Sequence, residues 1–192
     1  IHPLSVDGVS RLSADVLVIG SGAGGGVVAG ELAAAGFDVL VVEKGSGPRD
    51  AEFPRDERRG FAELYERRGS LTTVDRGVTV LAGSTLGGGT AVNWMTSLEP
   101  PADVLEEWSR DFGFADATSA AFRDSISAVS ARLNVNMDES PATEQNGVLE
   151  RGCQALGYRV AVIPRNARGC TICDTCSFGC RHGGKQDMRR TY

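Results

Sequence analysis

The sequence predicts an α/β fold built around a parallel sheet. Residues 14–19 and 38–43 are short apolar runs rich in Val and Leu, and residues 24–35 between them are rich in Ala and other small residues. The first two segments have the length and composition of buried strands, and the third has the length of a helix. Two such strands joined by a helix are typical of a β-α-β unit, in which the strands lie parallel.

The turn before the predicted helix carries the sequence GSGAGG at residues 20–25. Gly20, Gly22 and Gly25 have the G-x-G-x-x-G spacing of dinucleotide-binding turns. The first glycine permits a tight turn, the second lets the backbone approach a pyrophosphate, and the third lets helix and strand pack closely. Free N–H groups at the helix N-terminus attract phosphate. We therefore predict a Rossmann-like fold with a three-layer parallel sheet.

The second predicted strand ends in an acid, Glu43, which follows Gly25 after seventeen intervening residues. A carboxylate at this position binds the ribose hydroxyls of the nucleotide. Glu43 requires free hydroxyls on that ribose, and NADP carries a phosphate on one of them. The sequence therefore favours FAD or NAD over NADP.

A second glycine-rich segment, GSTLGGGTAVNW, covers residues 83–94. Its three successive glycines at 87–89 lose much backbone entropy on folding and add no side-chain packing. Such a run is tolerated where backbone lies against a ligand. Asn93 closes the segment, either as a polar contact to that ligand or as a turn-forming residue.

The rest of the chain is predicted to be mainly helical. Residues 73–81 alternate enough to predict a strand or hairpin around Arg76–Gly77. Trp94, Trp108 and Cys153 are expected to pack in the core. Helices are expected over residues 56–68, 102–112, 118–133 and 145–156.

The composition excludes several classes of partner. The chain of 192 residues has 20 basic and 25 acidic residues, so its net charge of −5 provides no basic field for nucleic acid. No apolar stretch reaches the roughly eighteen residues of a membrane span. Residues 1–13 lack the basic end and apolar run of a secretory signal, so we expect a cytoplasmic protein.

Three parts are expected along the chain: a leader over 1–13, a dinucleotide-binding domain over 14–135, and the start of a substrate domain over 136–192. The final residues, KQDMRRTY, show no cap, tail or turn. We therefore expect the chain to be the N-terminal portion of a larger two-domain enzyme.

Four cysteines form the pattern C-x2-C-x2-C-x3-C within a loop over residues 170–180. This is the spacing of a bacterial-type iron–sulfur run, although Arg181 replaces the Pro that usually follows. Zinc, disulfides and a loop that simply packs stay open as alternatives. The predicted metal ligands, for a possible [4Fe–4S] cluster, are Cys170, Cys173, Cys176 and Cys180.

With these motifs in view, the sequence resembles the glucose–methanol–choline (GMC) flavoprotein oxidoreductases. The turn at 20–25 matches their FAD motif, and residues 83–94 look like their signature in which a Gly-Gly run and an Asn lie against the flavin. The pattern RN..GC..C..C..GC..GGKQ over 165–186 is similar to the long-chain alcohol oxidase branch. The resemblance covers residues 14–192, nearly the whole chain.

The resemblance implies oxidation of an alcohol to an aldehyde or ketone by hydride transfer to flavin N5, with oxygen or a redox protein as the electron acceptor. The family's proton-handling pair, a His with a His or Asn, has no match here, so the catalytic base is expected outside this chain. Val92 stands where some relatives carry a His bonded to the flavin, which excludes that bond. The implied FAD-binding residues are Gly20, Gly22, Ala23, Gly24, Gly25, Glu43, Lys44, Gly88, Gly89, Thr90 and Asn93.

Two other classes of function fit part of the sequence. A nicotinamide-dependent dehydrogenase explains residues 20–43 but assigns no role to the second glycine run. A non-catalytic electron-transfer subunit explains the cysteines but leaves the FAD site vestigial. The cysteines also bear on the acceptor, since some GMC dehydrogenases pass electrons from flavin through an iron–sulfur cluster.

Overall fold

The structure is a computed structural model that describes residues 11–192. The predicted leader at 1–13 lies largely outside the described residues. The strands are β1 Val16–Ile19, β2 Val39–Val42, β3 Val135–Asn136 and β4 Arg165–Asn166. The helices are α1 Ala23–Ala34, α2 Glu57–Leu64, α3 Gly89–Val92, α4 Ala102–Asp111, α5 Ala120–Arg132, α6 Glu144–Ala155 and α7 Met188–Thr191.

The predicted β-α-β unit is confirmed. Strands β1 and β2 pair in parallel, with Val16 opposite Val39 and Ile19 opposite Val42, and α1 connects them. The N–H of Gly20, just after β1, donates to the carbonyl of Val42 at 2.8 Å, so the pairing continues into the turn. Within residues 11–192 the parallel sheet contains this one pair, so the three-layer sheet stays a prediction.

The charged segment after β2 forms α2. Asp56 caps this helix by accepting a hydrogen bond from the N–H of Arg59 at 2.9 Å, and Arg59 pairs with Glu63 one turn later at 2.9 Å. The side chains of Arg59 and Glu63 lie on a solvated helix face. The predicted hairpin is also confirmed, because Thr72 and Thr79 form an antiparallel bridge on either side of its turn.

The core lies between α2, α3 and the cysteine loop (residues 170–180). Its buried members are Phe53, Leu64, Tyr65, Ala91 and Val92, and Phe178 of the cysteine loop packs against them. The hydroxyl of Tyr65 donates to the carbonyl of Ser177 at 2.5 Å, which satisfies a buried polar group. The core therefore ties the second glycine segment to the cysteine loop.

None of the three residues expected in the core is fully buried, and Trp108 on α4 is half-buried. Trp94 is 58% exposed, because it follows the end of α3 and projects from the surface beside the cysteine loop. Cys153 is half-buried on α6, and its neighbours Leu149 and Leu156 are exposed. An apolar helical face predicts burial only where another element covers it. No helix within the described part of the chain has the length and apolar character needed to cross a membrane.

Candidate functional site

The two glycine segments lie against each other. A Cβ added at Gly88 would stand 2.9 Å from the Cα of Gly22, closer than real Cβ contacts come. A Cβ at Gly25 would overlap the carbonyl oxygen of Gly20, and one at Gly83 would overlap the carbonyl of Gly88. Glycine is therefore required at these positions by backbone packing, and residues 60 or more apart in sequence form one surface.

Other glycines of the same surface face open space. A Cβ added at Gly24 or Gly89 would meet nothing within 4 Å, and both residues are exposed. Helix α1 begins after Gly22 with no side-chain cap, and Ala23 is its exposed first residue. Its first N–H groups are therefore free of side-chain acceptors and suit a phosphate. The surface fits the pyrophosphate of a dinucleotide.

Ser21, which the sequence motif leaves unspecified, joins three parts of the site. It is 7% exposed, and its hydroxyl donates to Glu43 at 2.7 Å while accepting from the N–H of Gly87 at 2.9 Å. The first turn, the end of β2 and the second glycine segment thus share one side chain. No sequence signal indicates this role, because the position between the first two glycines of the motif accepts many residues.

Glu43 is held at the end of β2 by donors on both carboxylate oxygens. Oε2 accepts from the N–H of Ser21 at 3.0 Å as well as from its hydroxyl, and Oε1 accepts from the N–H of Gly45 at 2.8 Å. Partial burial raises the pKa of Glu43, but these hydrogen bonds outweigh burial and hold the pKa below its ordinary value. The carboxylate is charged at neutral pH and keeps lone-pair capacity for a hydroxyl donor.

The other predicted cofactor residues have different surroundings. The exposed side chain of Lys44 forms an ion pair with Glu66. The hydroxyl of Thr90 donates to the carbonyl of Gly87 at 2.6 Å and accepts from the N–H of Met188 at 3.1 Å, which holds α7 against α3. Asn93 is exposed, and its Oδ1 accepts from the N–H of Met95 at 3.1 Å, so it forms the turn that the sequence allowed.

Lys185 belongs to the GGKQ end of the pattern over residues 165–186, but the sequence analysis predicted no role for it. Its side chain is buried at 1% exposure, and its ammonium group donates to the carbonyls of Ala91, Asn93 and Cys176 at 2.9, 2.7 and 2.8 Å. Burial lowers the pKa of Lys185 to about 8. No sequence pattern distinguishes a lysine in a glycine-rich loop from a solvated one, so only the tertiary structure reveals it.

The cysteine loop borders a cavity of about 480 Å³ that also contacts Trp94 and Met95. The four predicted ligands line this cavity, but their thiols have separate partners. Cys170 lies 3.7 Å from Arg165, Cys173 lies 3.2 Å from the hydroxyl of Thr175, and Cys180 accepts from the N–H of Lys185 at 3.4 Å.

Among residues 11–192, no three His, Cys, Asp or Glu side chains converge on a point that could hold a metal ion. The metal site predicted at Cys170, Cys173, Cys176 and Cys180 finds no support in the placement of these side chains and stays a prediction. Ile172 and Asp174, on either side of Cys173, have positive φ values of 52° and 55°, which non-glycine residues seldom adopt.

The thiols also differ in ionisation. Partial burial raises the pKa of Cys173, but hydrogen bonds with Thr175 and Thr171 outweigh it and lower the pKa below its usual value. Burial raises the pKa of Cys176 despite the nearby charge of Lys185. Cys173 is therefore the more reactive of the two.

Comparison with known proteins agrees with this geometry. Residues 61–192 match the GMC oxidoreductase family. The chain is similar to two long-chain-alcohol oxidases of Arabidopsis thaliana: FAO3 is 40% identical over 95% of this chain and 24% of the relative, and FAO4B is 41% identical over 97% and 25%. It is also similar to a cholesterol oxidase of Mycobacterium tuberculosis, 24% identical over 93% of this chain and 36% of the relative.

The chain spans about a quarter of the length of the long-chain-alcohol oxidases that it matches. The matched family region contains the whole second glycine segment, the cysteine loop and every buried core residue except Phe53. The first glycine segment precedes it and packs directly on it. On these grounds the chain belongs to the GMC oxidoreductase family.

Proposed function

We propose that this chain is the FAD-binding part of a flavin-dependent alcohol oxidoreductase. The observation that carries the proposal is the contact between Gly22 and Gly88, which joins the dinucleotide turn to the second glycine segment. A nicotinamide enzyme requires the first segment only. A surface made from both segments suits FAD, whose adenosine end would lie at the first segment and whose flavin end would extend along the second.

Different residues of the chain would bind different parts of the cofactor. The N–H groups at the start of α1, from Gly22 to Gly25, would hold the pyrophosphate, and Glu43 would accept from the adenosine ribose. Gly88, Gly89 and Thr90 would run along the cofactor toward Asn93. When bound, FAD supplies the hydride acceptor for oxidation of the alcohol carbon to an aldehyde or ketone.

Long-chain alcohols are the substrate class that we infer, on the basis of the names of the Arabidopsis relatives. The cavity supports this choice, because it borders Trp94 at the end of the second glycine segment and has an apolar wall formed by Leu149, Val160, Val162 and Ile163. An alkyl chain gains about 0.8 kcal/mol per buried methylene on such a wall. The remainder of the protein would complete the pocket and supply the catalytic base.

Purification of the full-length protein followed by absorbance spectroscopy tests the cofactor. We expect the protein to keep its flavin absorbance spectrum through gel filtration, and an FAD-free protein that does not bind added FAD would contradict the proposal.

Anaerobic mixing with ethanol, hexanol, hexadecanol and cholesterol tests the substrate. We expect flavin bleaching whose rate rises with chain length, and equal rates for ethanol and hexadecanol would contradict the assignment of long-chain alcohols.

The electron acceptor is a separate part of the proposal. We propose oxygen, since the similar plant proteins are named oxidases. An oxygen electrode should record consumption of oxygen with one peroxide formed per alcohol oxidised. Turnover that needs an added redox protein or dye would instead indicate a dehydrogenase.

A further inference from the structure

Lys185 is a buried cation that the proposed function leaves without a role. Its three ammonium hydrogens all go to backbone carbonyls, those of Ala91, Asn93 and Cys176. An ammonium group has three donors, so its hydrogen-bonding capacity is full. Two of these bonds join Lys185 to the second glycine segment, and the third joins it to the cysteine loop.

Within the described residues no carboxylate forms a direct ion pair with Lys185. The buried carboxylate of Asp187, two residues further on, favours the charge of Lys185 from a distance but pairs directly with Arg189 at 2.6 Å. Burying an ammonium group without a direct ion pair is costly. An apolar side chain of the same length, such as Met, would avoid that cost, so the charge itself requires an explanation.

Two of the three carbonyls that Lys185 binds, those of Ala91 and Asn93, lie at the C-terminal end of α3. This helix has four residues, Gly89–Val92, and so its last carbonyls have no partner within the helix. A cation at a helix C-terminus stabilises these carbonyls and the negative end of the helix dipole. Lys185 therefore caps α3 and fixes the backbone of Asn93 just beyond it.

We propose that Lys185 is a positioning residue for the flavin: it fixes the Asn93 segment and places a buried positive charge next to it. The inference rests on the proposed function, in which that segment runs along the flavin. A fixed positive charge favours the negative charge that a flavin gains on reduction, because the surroundings are buried and screening is weak. Lys185 would thus raise the reduction potential and strengthen FAD binding.

The test is Lys185→Met in the full-length protein, with Arg110→Gln as the matched control. Arg110 is an exposed cation on α4 paired with Asp111, so R110Q removes one positive charge away from the site. We expect K185M to bind FAD at least tenfold more weakly and to have a more negative flavin reduction potential, while R110Q keeps both wild-type values. A merely structural role would weaken the fold without moving the potential of the flavin that remains bound.

Chemical rescue provides a second measurement if K185M folds poorly. Lys185→Ala removes the equivalent of propylammonium, and the cavity that Lys185 lines gives this ion a route to the gap. Added propylammonium should restore the potential and the FAD affinity, whereas tetramethylammonium, which lacks N–H donors, should not. Wild-type potential and affinity in K185M, or rescue by neither ion, would overturn the inference alone. A wild-type protein that retains no FAD would overturn the proposed function and this inference with it.

Discussion

Two regions carry a regularly spaced motif: the first glycine turn, residues 20–25, and the cysteine loop, residues 170–180. Only in the glycine turn do the observed positions of the residues agree with the geometry that the spacing predicts. In the turn, each glycine lies where its spacing requires, with Gly25 against Gly20 and Gly22 against Gly88. In the loop, four regularly spaced cysteines line one cavity but do not converge. The turn is bounded by a strand and a helix, whereas the loop contains only one short 3₁₀ turn, Cys176–Phe178.

The difference between the two regions indicates when the sequence spacing of a motif predicts the positions of its residues in the structure. A strand and a helix have fixed rise and twist, so the residues between them are confined to few conformations. A loop has no such period, and its side chains take the partners that are nearest, here Arg165, Thr175 and Lys185. Substitutions in the two regions should therefore have effects of very different size.

Gly25→Ala should have the largest effect. Its Cβ would overlap the carbonyl oxygen of Gly20, which is rigid backbone, so we expect a loss of more than about 4 kcal/mol of stability and no FAD retention. The matched control is Gly152→Ala on α6, where nothing lies within 4 Å and the helix should gain about 0.5–1 kcal/mol. Urea unfolding of both variants measures the difference. Wild-type stability in G25A would mean that the turn is not packed as described.

Ser21→Ala should cost less but still weaken the link between the two glycine segments. Removing the hydroxyl leaves the N–H of Gly87 without its acceptor and Glu43 with one donor fewer. We expect a loss of about 1–3 kcal/mol in the free energy of unfolding, since an unsatisfied buried group remains. Ser84→Ala in the second glycine segment is the comparison, because no side-chain hydrogen bond from it is present in the described structure. Equal losses in the two variants would contradict the linking role of Ser21.

Glu43→Gln should act on cofactor binding more than on folding. We expect about a tenfold rise in the Kd for FAD, equivalent to about 1.4 kcal/mol, because the charged acceptor for the ribose is lost. Hydrogen bonds hold the pKa of Glu43 below its ordinary value, so its contribution is complete at neutral pH and is lost as the pH falls through that lowered pKa. Fluorescence titration of FAD at several pH values measures both effects. In E43Q the Kd for FAD should not rise further as the pH falls through this range, because Gln does not titrate.

The smallest effects should come from the cysteine loop. Cys173→Ser should change stability by less than about 0.5 kcal/mol, since its exposed thiol has no part in the core. Alkylation followed by peptide mass spectrometry should label Cys173 before Cys176, because Cys173 is exposed and its pKa is lowered while that of Cys176 is raised by burial. Protection of all four loop cysteines at once, released by a chelator, would show that they share a metal after all.

Much of the fold and part of the site could be predicted from the sequence. The β-α-β unit, the helices α2, α4, α5 and α6, and the hairpin at Thr72–Thr79 follow from apolar periodicity and turn residues. The positions of Gly20, Gly22 and Gly25 follow from their motif. Ser21 and Lys185 could not be predicted, because their partners, Gly87 and Ala91, are 66 and 94 residues away.

By itself, then, the sequence determined the elements and the glycine turn, since local backbone sterics and hydrophobic periodicity act over a few residues. The tertiary structure alone decided that the two glycine segments touch, that a buried lysine joins the second of them to the cysteine loop, and that the four cysteines line one cavity. These are contacts between distant residues, and their geometry depends on how the core of Phe53, Leu64 and Tyr65 brings the segments together.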